Sequence, residues 1–423
     1  MARNFLILKD VKKSLIASSL ALLLYPTFGE AAGPITNNGT PNEQHEIGSA
    51  ANPNETLTGG ISTSGGGSTN VNFNNGSSMT GGDISASGGG RNTIELRESS
   101  SMTADSIKAS GGGTNTLTDT RNAPATKSTI NKVEADGGTN KLNDLKNFEL
   151  KAVEAKAGGT NTISLKDAST ITGVITANTG GQNTITLDAG ANLNITAAGA
   201  GTSISADGQG SINNITGAGG GTLGGKIEAK NSGQNVIDLT SLSVGGDGIE
   251  ANGGGSNTIT LGTLTGANVG VSATQGGRNT LTINTSGDLK NIIADGAGSS
   301  NTLTLNGTTK ITGFIKATTG GQNTITLNDN AKIESTATTG TASILAEGQG
   351  SRNTIKGNTM ADNSIGGNIE AKDGGSNTIE LSRLVISKDI KATAGGTNSI
   401  TLNQGGSVVN ITAEGNNLSL IHI

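Results

Sequence analysis

The sequence predicts an all-β fold: a right-handed parallel β-helix (β-solenoid) of about fifteen coils with a repeat near 22 residues. Three observations predict it. First, the stretch Thr179-Gly180-Gly181-Gln182-Asn183-Thr184-Ile185-Thr186-Leu187 returns letter for letter at Thr319 to Leu327, and everything from Ile61 to Leu402 varies that theme. Aligned on the asparagine, the variants fall at Asn70, Asn92, Asn115, Asn140, Asn161, Asn183, Asn213, Asn235, Asn257, Asn279, Asn301, Asn323, Asn353, Asn377 and Asn398. Seven of the fourteen intervals are 22 residues and the rest run from 21 to 30, a period that marks a solenoid. Second, most units carry a β-branched residue, a variable residue and an alanine, usually eight positions before the asparagine, as in Ile84-Ser85-Ala86, Ile175-Thr176-Ala177, Ile249-Glu250-Ala251 and Ile390-Lys391-Ala392. Third, both elements alternate with period two: Asn183, Ile185 and Leu187 share one face while Thr184 and Thr186 share the other, which is strand geometry.

A unit is therefore two or three short strands joined at glycine-rich corners. No 22-residue unit buries its own apolar face, but stacked units bury a continuous one. Coils spaced about 4.8 Å apart make a rod roughly 70 Å long. Asn183 and its equivalents then form an inward ladder of amides, each bonding to the coil above and below. The alanines suit a corner where two sheets converge.

From the start of the chain, Arg3, Lys9, Lys12 and Lys13 precede an apolar run from Leu15 to Tyr25, followed by Pro26 and the small-x-small site Gly29-Glu30-Ala31. Residues 1–31 read as a secretory signal peptide cleaved after Ala31, the run being too short for a bilayer span. Its removal takes away four basic and two acidic residues, leaving 24 against 31 and a net charge of −7. That balance offers nucleic acid no basic patch and favours solubility. Residues 32–54 carry Pro34, Pro41 and Pro53 without a strand pattern and read as a flexible leader. The solenoid is assigned to residues 55–417, where Pro124 is the single proline, as a ladder that uses nearly every backbone N–H demands. With no cysteine, stacking alone must stabilise it. The whole chain's 68 glycines and 1% aromatics would suggest disorder were it not for the period.

A longer repeat overlies the short one. Asn161, Asn183, Asn213 and Asn235 recur at Asn301, Asn323, Asn353 and Asn377, so a block of coils is duplicated together with its 30-residue interval, which contains Ala206 to Ser211 in one copy and Ala346 to Ser351 in the other. Extra residues in a coil leave a rod on one face, where solenoids often bind ligands, though neutral loop length is the plainer account. Asn115 to Asn140 is less regular, with Arg121, Asn122, Ala123 and Pro124 in its loop. At the far end Asn416-Asn417-Leu418-Ser419-Leu420 begins another coil without polar capping. Residues 418–423 are expected to be a non-native terminus, with further coils and an outer-membrane barrel beyond residue 417 in the full-length chain.

Chemistry is sparse. The histidines are His45 and His422, outside the repeats, and without cysteine a triad, a thiol nucleophile or a histidine metal site in the body is excluded. No catalytic, cofactor-binding or metal-binding residue is assigned. Glu228 and Glu250 should sit one coil apart on the outer face, a spacing that follows from the repeat and reads as a solvated ladder before a catalytic dyad. Sugar stacking has only Phe73, Phe148 and Phe314 to draw on. Isolated Gly245-Gly246-Asp247-Gly248 does not make a calcium-binding array. Outward threonine pairs such as Thr258 and Thr260 would suit ice, but Glu95, Ser164, Asp238 and Glu380 interrupt the column.

An export signal, the lack of cysteine and coils written Gly-Gly-Gln-Asn-Thr-Ile-Thr-Leu together resemble the passenger region of type V autotransporters of Gram-negative bacteria, most of all the repeat-rich, vacuolating-cytotoxin-like ones of epsilonproteobacteria. The resemblance implies a β-helix carried to the cell surface by a C-terminal barrel. On it, the chain is expected to be a non-enzymatic, exported, surface-displayed adhesin or host-interaction rod, whose partner is a host or cell-surface glycan or protein. The alternatives are a β-helical polysaccharide-active enzyme and a vacuolating-toxin-like passenger.

Overall fold

The computed structural model describes residues 32–122, 124–196, 201–246, 248–266, 269–336, 342–357, 361–414 and 419–422. The signal-peptide segment lies outside them. All regular structure in the described residues is β-strand, and the strands pair parallel in one continuous stack, the β-solenoid expected from the period. The coil that begins at Ile175 shows the plan, with strands Ile175–Asn178, Gln182–Leu187 and Asn192–Ile195 lying on three sheets. Ile175 pairs with Val153 below and Ile204 above, Asn183 with Asn161 and Asn213, and Leu193 with Ile171 and Gly221. In several coils the second and third strands run together, as in Gln234–Val244 and Ser256–Thr265.

The core is a set of columns running the length of the rod. Ile175, Ala177, Ile185 and Leu187 are fully buried, and so are their equivalents in neighbouring coils, such as Ile227, Ala229, Ile259 and Leu261. Each fully buried isoleucine or leucine contributes roughly 1.5–3 kcal/mol, so the stack is held by many similar increments. The corner between the first two sheets explains the glycine pair. Gly180 takes φ +78°, which favours glycine, whereas a Cβ on Gly181 would lie 2.1 Å from the Ala155 carbonyl oxygen one coil away.

The amide ladder runs unbroken from Asn92 to Asn398. Each side-chain Nδ2 donates to Oδ1 of the asparagine one coil further on, at 2.8–2.9 Å throughout. The second Nδ2 hydrogen goes to the carbonyl of the variable residue between isoleucine and alanine in the same coil. Asn183 bonds Thr176 O at 2.8 Å, and Asn257 bonds Glu250 O at 2.7 Å. The two fixed sequence elements are thus tied to each other across the corner, which accounts for their constant separation. A small alanine lets the amide reach the backbone.

Two departures from the sequence expectations appear. Residues 32–54 were expected to be a flexible leader, yet Ile35–Asn38 pairs with Ile61–Ser64, and Glu43–Ile47 with Ser68–Phe73, adding a turn to the stack. Its prolines fall beside the strands rather than within them, so no ladder bond is lost. Asn70 was aligned with the ladder, but Thr69 pairs with Asn92 and is buried, which turns Asn70 outward. There the ladder ends in hydroxyls: Thr63 Oγ1 donates to Asn92 Oδ1 at 2.6 Å and bonds Thr69 Oγ1 at 2.7 Å. Past the end of the amide ladder, Ser419 stands opposite Asn398. The two 30-residue intervals keep Ala206 to Ser211 and Ala346 to Ser351 at the ordinary corner, where Ser211 Oγ bonds Asp207 O and Gly180 N and Ser351 does the same one block later. The added length falls nearer residues 196–201 and 336–341, most of which lie outside the described residues.

Candidate functional site

Charged side chains pair between coils on the outer surfaces of the first and third sheets. On the first sheet Glu228 and Glu250 do stand in register one coil apart. Lys226 Nζ lies between them, 2.9 Å from Glu228 and 2.6 Å from Glu250, and burial acts against its charge but the two carboxylates hold its pKa above the usual lysine range. Two carboxylates clamped by one ammonium make an ion triad between the coils. Glu134, four coils before Glu228, is clamped more tightly. Burial pushes its carboxyl up, but hydrogen bonds from Lys132 and Lys156, helped by the charge of Lys108, bring it down to about 2.

One ion pair has no counterpart in the repeat. Arg121 is fully buried and binds Asp119 through both carboxylate oxygens at 2.8 Å. Its remaining hydrogens go to Ser100 O, Lys146 O and Ser128 Oγ, and its guanidinium lies 5.2 Å from the centre of the Phe148 ring. Sequence reading noted Arg121 only as part of an irregular loop. Here it fills the interior that a missing apolar residue would leave, a structural role with every donor satisfied.

The third sheet carries a run of adjoining hollows. A hollow of about 450 Å³ lined by Thr265, Ser286, Asp288, Thr308, Lys310, Lys332 and Glu334 shares Thr308, Lys332 and Glu334 with a second, and that one shares Asp362 with a third at Arg383 and Val385. Together they form one trough parallel to the rod axis. Register carries it from Leu264 through Gly287, Lys310, Lys332, Ser364 and Val385 to the level of Gly406, six steps of about 4.8 Å or roughly 29 Å. Its charges alternate. Lys310 faces Asp288 at 3.5 Å, Lys332 holds Glu334 at 2.5 Å, and Arg383 holds Asp362 at 3.1 Å. The hydrogen bond from Lys332 keeps the Glu334 carboxyl below its usual range.

No residue-level motif announces the trough in the sequence. Among the described residues no cluster of three or more metal-ligating side chains occurs. The threonine pairs Thr258/Thr260, Thr280/Thr282, Thr302/Thr304 and Thr324/Thr326 do line up in register on the outer face of the second sheet. That array ends at Lys356 on one side and Asp238 on the other.

No protein-family model matches the chain. No curated protein matches it either. A solved structure that resembles it is a TibC-catalysed hyper-glycosylated fragment of TibA, at 14% identity and a TM-score of 0.24, covering 93% of this chain and 100% of that one. Likeness of that degree carries no argument about function.

Proposed function

We propose that the chain is the non-enzymatic, surface-displayed body of an exported autotransporter, an adhesin or host-interaction rod that binds an extended ligand along its third sheet. The observation that carries this reading is the axial trough, about six coils long and lined by three bases and three acids. A linear chain laid along it meets polar groups of both signs at regular steps, as suits an extended glycan or peptide. Support against catalysis comes from the carboxylates. Glu95, Glu134, Asp144, Glu149, Asp295 and Glu334 are all shifted downward, whereas a general acid working near neutral pH is shifted upward. In this reading the display partner is an outer-membrane barrel and the ligand is a host or cell-surface glycan or protein.

The test is binding of the whole secreted chain to cultured cells and to extracellular-matrix glycans and proteins. Lys310→Glu with Arg383→Glu should reduce binding at least about tenfold without changing the melting temperature by more than a few degrees, because both side chains are partly exposed. Turnover of an acidic polysaccharide that disappears in Glu334→Gln would instead establish the enzymatic alternative.

A further inference from the structure

The first sheet contains a second, smaller concavity. The residue immediately before the buried isoleucine column is large or polar in many coils, for instance Asp83, Lys132 and Lys226. At two successive levels it is glycine, Gly248 and Gly270, and it is Asn291 at the next. Beside Gly270 lies a notch of about 540 Å³ lined by Gly246, Glu250, Gly270, Ser272, Lys290, Asn291 and Ile293. Gly248 cannot be filled by substitution, since a Cβ there would lie 2.2 Å from the Gly270 carbonyl oxygen.

The groups around the notch differ from the rest of that sheet. Ile293 occupies the outward column that holds Glu250 and Ser272 in the two coils before it and Lys316 in the coil after. Phe314 stands on the adjoining level, half-buried and outside the core, whereas Phe73 and Phe148 are fully buried within it. It is the one aromatic ring on the surface of the described residues. Asn291 spends its carboxamide oxygen on the Phe314 N–H, at 3.2 Å, and its NH2 bonds nothing among the described residues. Glu250 is already engaged by Lys226, while Lys290 is exposed at the notch with no acidic partner among the described residues.

From this juxtaposition we infer that the notch beside Gly270 is a binding site for a carboxylate-bearing saccharide. The apolar face of a sugar ring packs on Phe314 and Ile293, hydroxyls bond the Asn291 amide, Ser272 and the free oxygen of Glu250, and the carboxylate meets Lys290. A neutral apolar ligand would leave Asn291 and Glu250 unanswered, and a purely anionic one would face Glu250. The site lies on a different sheet from the axial trough and stands independently of it.

The experiment is an array of immobilised oligosaccharides, neutral, uronic-acid-containing and sialic-acid-capped, probed with the whole secreted chain and followed by titration of the retained probes. Acidic probes should be retained over their neutral counterparts. Phe314→Ala and Lys290→Gln should each weaken them about tenfold, Ser272→Arg should abolish retention by occupying the notch, and Lys310→Glu with Arg383→Glu should leave it unchanged. Circular dichroism confirms folding of each variant, and all of these positions are outside the core. Retention of no acidic probe by the folded wild type, equal retention of neutral and acidic probes, or indifference to both Phe314→Ala and Lys290→Gln overturns the assignment. If Lys310→Glu with Arg383→Glu alone abolishes retention, the saccharide belongs to the trough and the notch assignment fails.

Discussion

Ile185 and Thr186 are neighbours in one strand, but the first is fully buried and the second faces outward. Ile185→Asp places a carboxylate among the isoleucines of two adjoining coils and should cost several kcal/mol, while Thr186→Asp should cost under about 0.5 kcal/mol. Limited proteolysis and a denaturant melt of the two variants check this, and equal sensitivity would show the facing to be wrong. Residue-level facing was legible in the sequence because period two leaves no ambiguity over six residues. At Asn70 alignment on the asparagine letter overrode that period, since Thr69, Val71 and Phe73 share the buried face and Asn70 the outer one. Asp119 and Arg121 were illegible for a different reason. A buried ion pair and an exposed one are spelled with the same letters, and the surroundings that bury this one come from Ser100, Ser128 and Lys146, each more than six residues from Arg121 along the chain.

At the scale of the element, the first sheet is laced by charges between coils, and Glu134 is the most strongly held. Its pKa is about 2 against an ordinary 4.5, so its contribution is present in full above pH 4.5 and is lost as the pH falls toward 2. Its side chain is 10% exposed, and the effect should be on the order of 1–2 kcal/mol after allowance for its partly exposed lysine partners. Wild type should therefore lose stability between pH 4.5 and 2 more steeply than Glu134→Gln, as measured by urea midpoints at several pH values. Parallel acid curves for the two proteins would remove the lysine clamp from the account. Strands with the full motif were readable as elements, whereas Ile35–Asn38 and Glu43–Ile47 were hidden by three prolines that turn out to sit in the connections. The trough was not readable either, because no recurring residue marks its lining.

At the scale of the whole molecule, each coil presents to the next the surface it receives from the last. Deletion of residues 235–256 joins Gln234 to Asn257 and restores the Gly-Gln-Asn-Thr-Ile-Thr order, so the shortened chain should fold with an unchanged circular dichroism spectrum and a melting temperature within a few degrees of wild type. Deletion of residues 235–245 removes half a coil, leaves an amide of the ladder without its neighbour, and should unfold or lose stability by several kcal/mol. Comparable melts for both deletions would contradict an interchangeable stack. The amide ladder gives this modularity a further meaning. Every one of its bonds points from the earlier coil to the later, so a gene that slips by one unit inherits a complete rung with donor and acceptor already matched. Reach then becomes a trait that evolution adjusts in increments of about 4.8 Å, with no compensating mutation needed to move a ligand-holding surface nearer to its target or farther away.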